Sequence, residues 1–176
     1  IFFCRRGESL RSLIEGADRH GYNAINFDEF VFLPEENQSY EGANYVQEMS
    51  RYYFFEPHGN RLNRAFRRLE NLENISSAGH RLKGDHLKID PLNHNLRHYI
   101  VMSEEHARRK YLNRHYDLED LRKGWHGNRL DFTLDNLKMP ANSVFLRMIT
   151  PNSNMHHLDR SQPAKLHYWA WQTALI

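Results

Sequence analysis

The chain has 176 residues, 40% hydrophobic and 12% aromatic, with a formal net charge of +2. That length fits one ordinary domain with a buried core, and the composition excludes a disordered chain. No apolar run approaches the roughly 20 residues that span a bilayer, and so small a charge does not by itself point to a nucleic-acid partner.

The start Ile1-Phe2-Phe3-Cys4 is too short for a signal-peptide core and is cut off by Arg5-Arg6. A lone cysteine, Cys4, excludes an internal disulfide and a multi-cysteine zinc site, which points to a reducing, cytoplasmic compartment. The chain opens on Ile1, with no methionine, inside an apolar run. The expectation is a fragment whose reading frame extends upstream by roughly a hundred residues, in line with domain sizes.

Glu8-Ser9-Leu10 opens a helix whose apolar residues Leu10, Leu13, Ile14 and Ala17 recur at helical spacing, and Gly21 stops it. Asn23 to Phe27 and Glu29 to Leu33 read as two β-rich runs around Asp28, closed by Pro34. Glu35 to Gly42 is a polar loop, and Arg51 to Phe55 a further strand closed by Pro57 and Gly59. Asn60 to Arg68 reads as a short basic helix, with Leu62, Ala65 and Phe66 on one side. Ser76 to His80 is turn-rich, Leu87 to Asn95 is a loop, and Leu96 to Val101 is a strand.

Ser103 caps a helix from Glu104 to about Arg114, whose first turn carries two carboxylates where the helix dipole favours them. Asp117 caps a second helix to Lys123, ended by Gly124. Beyond Leu130 no period is legible, and Pro140, Pro151 and Pro163 divide a polar stretch. Helices alternating with strands favour an α/β fold.

Chemistry concentrates between Leu96 and Arg129. A strand delivers His98 and Tyr99 to a capped helix, followed by Lys110-Tyr111 and the cluster Trp125-His126-Gly127-Asn128-Arg129. Trp125 offers an apolar face for a sugar ring, His126 and Arg129 offer polar contacts to a sugar edge or a phosphate, and packing plus solvation is the competing account. Asp28 and Glu29 interrupt an apolar run. Either fits a base that takes a proton from an acceptor hydroxyl, and either fits a carboxylate bonded to local backbone. Gly79-His80-Arg81 sets a flexible backbone beside an imidazole and a cation, as a phosphate or acceptor contact or as a solvated turn. The arginines at 61, 64, 67 and 68, diluted by Glu70 and Glu73, read as a solvated helix face.

The stretch Gly21-Tyr22-Asn23-Ala24-Ile25-Asn26-Phe27-Asp28-Glu29-Phe30-Val31-Phe32-Leu33-Pro34, with Arg97-His98-Tyr99, Ser103, Lys110-Tyr111 and Gly124-Trp125-His126, resembles the downstream half of bacterial glycosyltransferase family 2-like proteins. The likeness spans residues 8–130. It implies a partial GT-A-like α/β domain with a mixed sheet and flanking helices over 1–135, followed by a C-terminal extension over 136–176. It also implies transfer of a sugar from a nucleotide-sugar donor to a glycan or other hydroxyl acceptor, with a divalent cation, Mn or Mg. His98 would then ligate that cation. The family's Asp-x-Asp-type metal motif is not found before Glu8, which implies a fragment that starts just after it. The competing classes are a sulfotransferase-like, nucleotide-dependent enzyme, weakened by the lack of a P-loop pattern, and a non-catalytic module that binds RNA or polysaccharide.

Overall fold

In the computed structural model, residues 1–2, 8–112, 114–125, 130, 132–149 and 157–171 are described. The fold is mixed α/β and is organised around one strand. Strand β1 (Ala24–Phe32) is buried at all nine positions, because it has a neighbour on each edge and a packed layer on each face. One edge takes β2 (Arg51–Phe55) and then β3 (Asn63–Phe66), which run in the same direction and antiparallel to β1. The other edge takes β4 (His94–Tyr99) in parallel, and β5 (Arg147–Met148) extends the sheet beyond β2. Ile1 exchanges backbone hydrogen bonds with Arg97 along the outer edge of β4.

Helix α1 (Leu10–Arg19) begins as its sequence dictates: the Ser9 hydroxyl accepts the Ser12 N–H in a capping box. It ends where Gly21 turns with φ +79°, a conformation that costs glycine little. A short α2 (Tyr45–Glu48) precedes β2. Helix α3 (Glu104–Tyr111) is capped by Ser103, whose hydroxyl accepts the His106 N–H at 2.9 Å, and α4 (Leu118–Arg122) by Asp117.

Four expectations need correction. The two β runs around Asp28 are one uninterrupted strand, since Asp28 and Glu29 are paired in the ladder instead of turning. The stretch 60–68 holds β3 and no helix. Its backbone is claimed by β1, and Asn26 Oδ1 accepts the Leu62 N–H at 2.9 Å, which pins the register; so short a basic helix has little stability of its own. The expected 87–95 loop gives up its last two residues to β4, and α3 stops at Tyr111, short of Arg114.

The core has three clusters. Val31, Leu33, Tyr53, Phe55, Ala107 and Tyr111 pack on one face of the sheet with Leu137, Met139, Tyr168, Trp169 and Trp171. The stretch without a legible period therefore supplies a large part of that core. Phe30, Phe32, Tyr52, Phe54 and Leu158 pack on the other face, and Ile25, Phe27, Leu62 and Ala17 form a smaller cluster beside α1.

Candidate functional site

Neighbouring residues on a strand point to opposite faces, and this separates the two carboxylates of β1. Asp28 accepts hydrogen bonds from Arg160 Nε at 2.7 Å and from Asn93 Nδ2 at 2.9 Å. Arg160 also reaches Asn95 at 2.6 Å, and Asn93 accepts from Asn26 at 3.1 Å. Asp28 and Asn26 are buried and Asn93 and Asn95 half-buried, while the exposed Arg160 ties the segment after residue 157 to the sheet. The Asp28 carboxylate is saturated by partners that hold structure together.

Glu29 faces the other side. In register, Leu96, Glu29 and Phe55 form one cross-strand row, and His98, Val31 and Tyr53 the next. The Glu29 side chain is 6% exposed, and its two oxygens accept from Arg61 and from His98 Nδ1, the latter at 2.5 Å. Burial alone raises the Glu29 pKa. The His98 hydrogen bond and the Arg61 charge outweigh it and hold the carboxyl at about 2. An ionised carboxylate can only accept, so the proton shared with it belongs to His98 Nδ1. Whenever the ring is neutral, its lone pair therefore lies on Nε2, on a side chain 46% exposed. A buried, ionised carboxylate thus aims an accessible imidazole.

The surroundings continue the cluster. The Arg61 guanidinium lies 4.9 Å over the Phe55 ring, and its side chain is 13% exposed. The His167 ring stacks on Phe55 at 3.8 Å between centroids, and its Nδ1 meets the Tyr53 hydroxyl at 2.7 Å. Tyr53 is fully buried, and burial pushes its pKa well above the usual range, so the hydroxyl stays protonated.

The remaining candidates are scattered. His80 is half-buried on the turn after the 3₁₀ segment Ile75–Ser77; its Nδ1 lies 3.3 Å from Arg64 and its carbonyl accepts the Asn63 N–H. Arg81 is exposed, with its backbone bonded to the Ser77 hydroxyl. Trp125 is half-buried under Lys123 Nζ at 5.1 Å, beyond the end of α4. His126 and Arg129 lie outside the described residues.

Arg61, Tyr53 and His167 join the cluster without having been read as site residues. Arg61 was masked by its basic neighbours, which read as a helix face. The dense aromatic run His167-Tyr168-Trp169 with Trp171 was the available signal for the third. Among the described residues, no group of three or more His, Cys, Asp or Glu side chains converges as a cation site. Each Glu29 oxygen already accepts a hydrogen bond, from Arg61 and from His98, and the His98 side chain is the exposed one of this pair. Comparison with family models, curated proteins and solved structures gives no match. No helix among the described residues is long and apolar enough to cross a membrane.

Proposed function

We propose that this chain belongs to a GT-A-like glycosyltransferase and that His98 is its catalytic base. The observation that carries the reading is the bond from His98 Nδ1 to the buried carboxylate of Glu29. Sugar transfer with a hydroxyl acceptor needs one group to take the hydroxyl proton while the bond from the sugar to the diphosphate breaks. A neutral imidazole fixed at Nδ1 offers Nε2 for that proton, and the ionised carboxylate stabilises the imidazolium that results. Glu29 is then a positioning residue, and Arg61 fixes Glu29.

In this reading Asp28 serves the fold. Trp125 stays a candidate for stacking on the acceptor sugar, with His80 and Arg81 as candidates for donor contacts. With His98 Nε2 used as the base, a cation, Mn or Mg, would take its ligands from outside this cluster, and no step above depends on it.

The test is release of nucleoside diphosphate from a panel of UDP-, GDP- and dTDP-sugars, with hydroxyl acceptors and with Mn or Mg supplied. Turnover of one donor that falls about 10²- to 10⁴-fold in His98→Ala is the expected result. A folded protein that neither binds nor turns over any donor would contradict the reading.

A further inference from the structure

An amphipathic helix is stabilised by burying its apolar stripe, and α1 does so only in part. Of Leu10, Leu13, Ile14 and Ala17, Ala17 is the buried one, and Leu13 is partly covered by the cluster around Ile25 and Phe27. Leu10 stays 38% exposed and Ile14 44%. Across from them β3 leaves Phe66 45% exposed, and between the two walls runs an apolar groove of about 560 Å³. Large apolar side chains gathered in one concavity mark an interaction surface, as scattered ones do not.

The charges around the groove favour one occupant. Glu15 and Asp18 stand on the helix wall, Arg64 and Arg67 on the strand wall. Asp18 and Arg67 pair with each other while both side chains stay more than half exposed, so that pair contributes little. Arg11 and Glu15 are exposed one turn apart, on the flank beside Leu10 and Ile14, and neither bonds another side chain among the described residues. The signs balance, so the rim selects neither an anion nor a cation. Both signs on one patch instead complement the same patch turned about a two-fold axis.

We infer that this groove is the contact between two copies of the chain, which pair through α1 about a two-fold axis. The second α1 runs antiparallel to the first, with Ile14 against Ile14 across the axis. In such a pair the same flank of both helices meets, so Arg11 of each copy faces Glu15 of the other, and the contact closes at two chains. A helix of roughly 15 Å makes a small interface, which gives a reversible dimer and not an obligate one. Neither Glu29 nor His98 lines the groove, so the pairing stands apart from the glycosyltransferase reading.

The experiment is sedimentation equilibrium of the full chain at low salt, from micromolar to submillimolar concentration. The expected result is a monomer–dimer equilibrium. Ile14→Glu places two like charges at the axis and weakens the dimer about a hundredfold, while its far-UV circular dichroism in dilute solution matches the wild type. Arg11→Glu and Glu15→Arg each weaken the dimer about tenfold, and the variant carrying both exchanges restores it, which a fold defect would not do. Should Ile14→Glu not fold, the charge exchange still decides. A chain that stays monomeric throughout overturns the inference, also where the groove takes up a small apolar probe instead. An oligomer larger than a dimer, or a dimer that the single charge reversals leave intact, overturns it as well.

Discussion

Glu29 holds His98 from beneath: a side chain only 6% exposed bonds at 2.5 Å to one that is 46% exposed. The charge is hidden and the reactive ring is not, which is the division of labour a general base and its orienting group require. Glu29→Gln keeps the shape but loses the charge that holds the tautomer and stabilises the imidazolium. We expect it to lower kcat by about 10- to 100-fold with a smaller change in KM, less than the loss of His98 itself. Steady-state kinetics on the donor identified by the panel checks this.

The same carboxylate makes stability depend on acid. Its folded pKa of about 2 lies below its ordinary value of 4.5, so its contribution is present above the ordinary value. That contribution is lost as pH falls from about 4.5 toward 2. Urea unfolding at pH 7, 4.5 and 3 should show the loss in the wild type and a flatter profile in Glu29→Gln.

On the opposite face, Arg160→Ala leaves Asp28 with a buried charge and one side-chain partner fewer. We expect a loss of about 1–3 kcal/mol, measured by chemical denaturation, with little effect on kcat. Asp28→Asn should cost less, because the amide oxygen still accepts from Arg160. A large loss of activity from Asp28→Asn without loss of stability would return Asp28 to the catalytic role.

Much of the local framework was legible before any coordinates. The helix opening at Glu8-Ser9-Leu10, the Ser103 and Asp117 caps, the Gly21 stop and the strand at Arg51–Phe55 all follow from chemistry that acts within a few residues. Residues 63–66 were not legible as a strand, because their conformation is set by pairing with β1, some forty positions away in sequence. The same distance hid the site. Glu29 and His98 were both visible as candidates, but their meeting depends on the parallel pairing of β1 with β4. Arg61 and His167 depend on the β2 edge and on the aromatic tail, where no periodic pattern announced a contact.

The Ser103 cap should be worth about 1 kcal/mol, read as the shift in unfolding free energy of Ser103→Ala. Its hydroxyl also donates to Glu41 at 2.8 Å, so the variant loosens the loop before α2 as well as the start of α3. Hydrogen exchange should quicken at His106 and in the first turn of α3, while β1 stays protected.

The most direct test of the account is a double-mutant cycle on transfer activity with His98→Ala, Glu29→Gln and the pair together. If Glu29 acts through His98, the double variant is no slower than His98→Ala alone, because the carboxylate then has no imidazole to orient. Losses that add in the double variant, or a His98→Ala enzyme with wild-type turnover, would contradict the claim that His98 is the base and Glu29 its support.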